Sequence, residues 1–373
     1  MSQRRRLSAK SIRYIGSKAR VTDEILSYAG PPNGGRFVDL FCGTGVVSRK
    51  AALCGWPIVA NDSLLCAAVL TEACLVSERE ASFENLGGYW KAVEALEKVA
   101  PRTGFITREY SPASSRHCGV ERRYFTIDNA RRIDGIRFRI EEWSRQNLVG
   151  RAEKIVLLAD LIEAANSVAN IAGTYGCFLR SWTRASLSRL SLEPRTLLPF
   201  NTQREVNVGD ALEAACLQHD LVYLDPPYTK RQYAAYYHLI ETIAAGDEPN
   251  VSGVCGLRPW QHLSSPFCYK RRAVNAMVDL VLRLPARRVL ISYSSEGHIN
   301  LDELRVRLSG TGNVSIHKLR EVGRYRPNAT ASANGMSVNE YLVEFQRFGH
   351  VQARLRYRTG AIGSSARQLE LSL

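Results

Sequence analysis

The chain contains little that would take it out of water or into an oxidising compartment. No run of eighteen apolar residues occurs. The nearest stretch, from Ile155 to Ala172, is broken by Asp160 and Glu163 and reads as a helix with one buried face, so no membrane-spanning segment is expected. The opening residues, MSQRRRLSAKSIRY, are basic with no apolar segment behind them, which argues against a secretory signal and for a cytoplasmic protein. Nine cysteines stand singly between Cys42 and Cys268 with no C-x-x-C pair, which argues against a disulfide framework or a thiolate zinc site. Most of them are expected to be small core residues. The seven histidines form no H-E-x-x-H pattern, so no metal is expected. Internal repeats are absent. Acid is the scarce charge, with 36 Asp and Glu against 50 Lys and Arg in 373 residues, a net of +14. A chain 45% hydrophobic and 23% charged is a folded protein, not a disordered one. Its basic surplus implies a polyanionic partner, and composition alone does not choose between nucleic acid and an acidic membrane.

What is present is an α/β pattern. Residues 36–41 (RFVDLF) form an apolar run with Asp39 near its end, followed by Cys42-Gly43-Thr44-Gly45 and a helical stretch through Leu53. Pro57 to Asp62 reads as a second strand ending in an acid, with a helix through about Ser77. Strand, glycine turn, helix and strand make a βαβ unit and a parallel sheet. Further strands are expected at 219–224 (HDLVYL) and 287–293 (RRVLISY), with helices from near Ala235 and near Asn300. Val314 to Leu319 and Tyr341 to Phe345 read as a closing antiparallel pair. Between these blocks lies a long insertion, roughly 78–200. Its part from 101 to 154 carries eleven Arg and one Lys against seven acids, interleaved with Tyr110, Tyr124, Phe125, Phe138 and Trp143. A second basic stretch runs through Arg180, Arg184, Arg189 and Arg195. For any one of these arginines, a solvated face is the simpler reading.

The strongest chemical signal is Asp225-Pro226-Pro227-Tyr228, directly after an apolar strand. The lone pair of an exocyclic amine is delocalised into its π-system, so such an amine is a poor nucleophile. A carboxylate and a backbone carbonyl accepting its two N–H bonds would pull the nitrogen toward tetrahedral geometry. Asp225 supplies the carboxylate, Pro226 supplies a carbonyl, and the Pro226-Pro227 pair stiffens the turn. Tyr228 offers a flat face for stacking. A strand's carboxyl end is where α/β sheets bind ligands, which favours a site over a simple capping turn.

The second signal is Asp39-Leu40-Phe41-Cys42-Gly43-Thr44-Gly45. G-x-G after a strand lets backbone approach a ligand. Alone it is weak and would equally serve a dinucleotide, although Ser48 stands where the third glycine of that fingerprint would fall. Asp62 suits ribose hydroxyls or a helix N-cap. Asp39 suits a cationic ligand such as one with a free α-amine. Arg13-Tyr14-Ile15-Gly16-Ser17-Lys18 is, on physical grounds alone, a basic loop before a helix. Asn207-Val208-Gly209-Asp210 reads equally as an adenine-binding acid or a polar turn.

These four segments, in this order, resemble the adenine-N6 DNA methyltransferases of the Dam-like group, in a subgroup of bacterial modification methylases. The likeness extends over about 10 to 347. It includes Tyr110-Ser111-Pro112, Arg123-Tyr124-Phe125-Thr126, Asn129 to Arg137, Gln232-Tyr233, Tyr236-Tyr237-His238, Glu241-Thr242, Gly256-Leu257-Arg258 and Ser292-Tyr293-Ser294. The resemblance implies a Rossmann-like S-adenosylmethionine-dependent methyltransferase sheet with an inserted target-recognition domain. Residues 1–77 and 201–348 would form the catalytic domain, 78–200 the DNA-recognition insertion and 349–373 a basic tail. S-adenosyl-L-methionine is the implied cofactor. Tyr14, Lys18, Asp39, Phe41, Gly43, Gly45, Asp62 and Asp210 would bind it. Asp225, Pro226, Pro227 and Tyr228 would be catalytic. Arg122, Arg123, Arg131, Arg132, Lys230 and Arg231 would bind DNA, together with Arg324 and Arg326 in a hairpin loop at about 322–338. The implied partners are duplex DNA and a cognate restriction endonuclease, and the expected state is a monomer. Cytosine-N4, RNA or protein-glutamine methylation, and a DNA-binding protein with an idle cofactor fold, are the alternatives.

Overall fold

The computed structural model describes Gly16, residues 18–319 and residues 339–349. Tyr14, Arg324, Arg326, the rest of the 322–338 loop and almost all of the tail lie outside the described residues.

Seven strands form one sheet. They are β1 (Phe37–Asp39), β2 (Ile58–Asp62), β3 (Arg204–Val208), β4 (Leu221–Leu224), β5 (Arg288–Ser294), β6 (Gly312–Lys318) and β7 (Glu340–Arg347), in the spatial order β3-β2-β1-β4-β5-β7-β6. The first five are mutually parallel, and β7 runs antiparallel to both β5 and β6. The expected βαβ unit and the closing antiparallel pair are both present.

The helices are α1 (Thr22–Ala29), α2 (Val46–Leu53), α3 (Leu65–Leu75), α4 (Tyr89–Glu97), α5 (Phe105–Tyr110), α6 (Ser115–Cys118), α7 (Ile127–Arg145), α8 (Arg151–Ser167), α9 (Tyr233–Tyr236), α10 (His238–Ala245), α11 (Lys270–Arg283) and α12 (Leu301–Leu308). Successive strand residues point to opposite faces. Phe37, Ile58, Tyr223 and Leu290 therefore bury against α1 and α2 with Trp56. Val38, Val59, Val222 and Val289 bury against α11 and α12 on the other face. Both faces are covered, as parallel strands require. Asn300, whose side chain accepts from the Asp302 and Glu303 amides, starts α12 where the sequence placed it.

Among the described residues, 78–200 supplies helices and no strand to the sheet. Its apolar core is continuous with α3 and α10: Val69, Leu70 and Ala73 on one side and Leu239, Ile240 and Ile243 on the other pack with Ile133, Leu157 and Leu161. Thr126 caps α7 by accepting from the Asn129 amide, and Glu153 caps α8 by accepting from the Gly150 amide at 2.8 Å.

The interleaved aromatics find a structural role, and the expectation for the cysteines is corrected. Of the aromatics interleaved with the basic stretch, Tyr110, Tyr124, Phe125 and Trp143 are core residues, and only Phe138 is exposed. The apolar demand of a helical bundle explains them without a ligand. The cysteines are less buried than expected: Cys42, Cys66 and Cys268 are buried, whereas Cys54 and Cys177 are exposed and the others lie between. All nine are free. No helix of the described residues is long and apolar enough to cross a membrane.

Candidate active site

The sheet order fixes where a site can form. β1 is flanked by β2 on one side and β4 on the other, so the winding reverses between β1 and β4. α2, following β1, packs on one face, and α11, following β4, packs on the other. The connections diverge and leave a crevice at the strands' carboxyl ends. A pocket opens there, and Lys18, Asp39, Phe41, Gly43, Asp62, Asp225 and Tyr228 line it together.

The glycine turn has a geometric cause. Gly45 adopts φ +76 at the start of α2, and a Cβ there would lie 2.7 Å from the Thr71 Cα. Glycine thus permits both the left-handed turn and the close approach of α2 to α3. Gly43, at φ 53, donates its amide to Asp62 Oδ2 at 3.0 Å. Asp62 Oδ1 accepts from the Leu64 amide at 3.0 Å. Asp62 therefore braces the turn before α3 while it lines the pocket. Burial pushes its carboxyl up to about 6.

Asp39 closes β1. Its Oδ2 accepts from the Ser48 hydroxyl at 2.7 Å, and its buried Oδ1 has no hydrogen-bond partner among the described residues. Burial is the main reason its carboxyl rises to about 7, with Asp225 and Asp62 adding repulsion. A buried, half-satisfied carboxylate beside two others is a receptor for positive charge.

Asp225 follows β4. The Lys18 ammonium lies 2.8 Å from its Oδ1 and 3.7 Å from Glu340 Oε2. Burial pushes the Asp225 carboxyl up and Lys18 opposes that shift. Tyr228 presents its ring to the same ammonium, 5.0 Å from the centroid. The ring is held edge-on by Tyr293 at 5.7 Å, and the Tyr228 carbonyl accepts from the His298 amide at 3.0 Å. Pro227 lines the pocket, and Pro226 is buried. The facing wall comes from Gln232, Tyr233 and Ser265. Gln232 Oε1 accepts from the Ser265 amide at 2.9 Å and its Nε2 donates to the Ser265 carbonyl at 3.3 Å.

Several sequence-derived assignments take a different place. Lys18, grouped with the cofactor segment in the sequence, pairs instead with the Asp225 carboxylate. Asp210 is exposed, does not line the pocket, and accepts from the Leu212 amide at 3.0 Å, so it serves as a turn cap. Arg122 and Arg132 are framework groups. Arg122 is buried, pairs with Glu109 and donates to the carbonyls of Gly253 and Val254; Arg132 is buried and pairs with Glu97. Charge sequestered in this way is not available to a phosphate. Arg123 spans Glu121 and the Arg180 carbonyl. Arg195 is likewise held by Asp160. Arg131, Lys230 and Arg231 are exposed, and the last two stand between the pocket-lining Tyr228 and Gln232. Sequence reasoning missed Glu340 altogether. Its one signal is an acid opening a strand whose next residues are apolar.

A mainly parallel sheet with an acid-Pro-Pro-Tyr tetrapeptide at its switch point is the arrangement that the resemblance to methyltransferases implies. The family model described as D12 class N6 adenine-specific DNA methyltransferase matches residues 14–306, and the chain belongs to that family. It is 32% identical over 347 residues to the Type II methyltransferase M.FokI of Planomicrobium okeanokoites, covering 90% of this chain and 53% of that protein. It is 33% identical over 320 residues to the modification methylase StsI of Streptococcus sanguinis, covering 83% of this chain and 48% of that one. The Type II methyltransferase M.NlaIII of Neisseria lactamica is 32% identical over 337 residues, with 88% and 97% covered. The chain thus spans about half the length of the first two relatives and nearly all of the third.

Proposed function

We propose that this chain methylates the exocyclic N6 of an adenine turned out of duplex DNA, with S-adenosyl-L-methionine as methyl donor. The observation that carries the reading is Asp225 beside the Tyr228 ring at the sheet's switch point, in a pocket shared with Asp39, Asp62 and the glycine turn. A base inside a duplex cannot present its amine to such a recess, so the base must leave the stack. Tyr228 stacks on it. Asp225 and the Pro226 carbonyl accept its two N–H bonds and direct the nitrogen lone pair into the pocket. These groups act by positioning and by preset electrostatics.

The residues present fit the donor. Asp39 Oδ1, buried and unpartnered among the described residues, suits a cationic amine. Asp62 suits ribose hydroxyls, and the Gly43 backbone allows close approach. When bound, S-adenosylmethionine supplies an electrophilic methyl group. The chain is proposed to act as a cytoplasmic monomer in a modification role, beside a cognate restriction endonuclease. The test is a labelled-methyl assay on duplex DNA, RNA and protein with the product nucleoside identified. N6-methyladenine in duplex DNA is expected. Label confined to RNA, protein or cytosine would overturn the reading.

A pH dependence follows from Asp39. Its folded carboxyl ionises near 7 against an unfolded value near 3.8, so the folded state holds the proton more tightly. Ionising Asp39 therefore costs stability as pH rises from about 4 to 7, and that cost vanishes below the unfolded value. A bound cation favours the ionised form, so donor affinity is expected to rise with pH up to about 7 and then level off. Asp62, Asp225 and Lys18 face the same pocket, so the diagnostic is the difference from Asp39→Asn. Calorimetric titrations at several pH values should show the slope flattened in that variant; an unchanged slope would remove Asp39 from the cation site.

For DNA, Lys230→Ala and Arg231→Ala are expected to weaken binding across all sequences and to reduce the salt slope by about one each. Arg122→Ala is expected to lower the melting temperature instead, because Glu109 and two carbonyls lose their donor. Binding isotherms across a salt series, paired with thermal melts, separate the two behaviours.

A further inference from the structure

Lys18 occupies the place that the proposed target amine must take. Its Nζ is 2.8 Å from Asp225 Oδ1 and 5.0 Å from the centre of the Tyr228 ring, and it donates to the Gly16 carbonyl at 3.2 Å. An ammonium and an exocyclic amine therefore compete for one carboxylate and one aromatic face. The Lys18 side chain is 3% exposed, so it cannot retreat into water by a small rotation. A buried ammonium deprived of its counter-charge is strongly disfavoured. If a base is to reach Asp225, Lys18 needs a second carboxylate within reach.

Glu340, the first residue of β7, is that group. Its Oε2 lies 3.7 Å from Lys18 Nζ, outside hydrogen-bond contact, and has no hydrogen-bond partner among the described residues. Its side chain is 10% exposed, so bulk water does not screen it. β7 pairs with β5 at Ser294–Glu340, and the Asn339 carbonyl accepts from the Ser295 amide, so the Glu340 backbone is fixed against the sheet. Closing the gap to about 2.8 Å would make a charge-assisted hydrogen bond.

We propose that Glu340 is a positioning residue that receives Lys18 when the target base enters, releasing Asp225 to accept the amine. The exchange conserves charge: one ammonium moves between two carboxylates in one recess, and no proton leaves the protein. It also spares the free enzyme a buried, uncompensated carboxylate pair. The inference rests on the functional reading above and deepens it.

The test uses the full chain with Glu340→Gln, Glu340→Asp, Lys18→Met and the double variant Lys18→Met with Glu340→Gln. Base entry is followed by the fluorescence of a purine analogue at the target position of a duplex. Single-turnover methylation and donor affinity are measured alongside, and thermal melts establish that each variant is folded. Glu340→Gln is expected to lower base entry and the single-turnover rate by ~10-fold, the value of one charge-assisted contact, with donor affinity unchanged. Glu340→Asp should recover most of the loss. In the Lys18→Met background the same Glu340→Gln change should cost little base entry, because no ammonium remains to be received. Equal fold-losses in both backgrounds, or a Glu340→Gln enzyme indistinguishable from wild type, would overturn the exchange while leaving the functional reading intact. A wild-type chain that labels no DNA adenine would overturn the functional reading itself.

Discussion

Asp225→Asn is expected to reduce single-turnover methylation by about 10²–10³-fold or more while leaving DNA affinity near wild type. The size follows from removing one preset electrostatic contact to the reacting group. Asparagine keeps the volume of the side chain but presents a neutral acceptor, and half of its orientations turn an N–H toward the substrate amine. Asp225→Ala should be as inactive and also less stable, because the 2.8 Å contact to Lys18 goes with it. Breaking a buried pair by deleting one member costs about 3–5 kcal/mol, less here to the extent that Glu340 and the Gly16 carbonyl retain the ammonium. Rapid-quench assays and thermal melts on both variants measure the two effects separately. Near-normal turnover in Asp225→Asn would remove Asp225 from the chemistry.

The second large effect is expected at Gly45. Alanine there meets two independent penalties. A left-handed backbone costs an L-residue about 1–2 kcal/mol, and the added methyl lies 2.7 Å from the Thr71 Cα, an overpacking of about 1–3 kcal/mol. The neighbour is main chain and cannot swing aside. Gly45→Ala should therefore destabilise the protein by about 2–5 kcal/mol in sum. Because α2 must then move away from α3, the turn bearing Gly43 moves as well, and donor affinity should fall. Denaturant melts and donor titrations read the two consequences. A variant with wild-type stability would show that α2 has slack that the packing does not suggest.

Much of this was legible in the sequence, for physical reasons. β1, β2, β4 and β5 are buried on both faces, so each appears as an apolar run, and the acids Asp39, Asp62 and Asp225 mark where three of those strands reach the ligand edge. Local signals also placed α2 and α12, through a glycine turn and an asparagine cap. The misses share a cause. Arg122 and Arg132 looked like spare charge because Glu109 and Glu97, which neutralise them, are brought close only by folding. Arg108 and Arg151 pair with the distant Glu248 and Glu72, and Arg137 and Arg139 pair along α7 with Glu141 and Glu142, so much of the charge counted along 101–154 is balanced by the protein's own acids, largely at its surface. Lys18 and Glu340 stand near opposite ends of the chain, and no spacing rule links them. Asp210 shows the converse, a motif position whose exposed carboxylate caps its own turn and stays out of the pocket.

The continuous core beneath 78–200 limits how that segment can be exchanged between relatives. α3 begins immediately after the Asp62 turn, and Glu241 of α10 accepts from the Leu65 and Cys66 amides at its start, at 3.0 and 2.8 Å. The inserted helices therefore rest on the same two elements that brace the proposed donor site. A 78–200 segment grafted from a relative at the strand-to-insertion boundaries would arrive without its matching half of the core. The smallest transplantable cassette is the insertion together with the facing residues of α3 and α10; if 78–200 reads the target, as the resemblance implies, new target preferences should emerge by coordinated drift of all three and not by simple modular exchange.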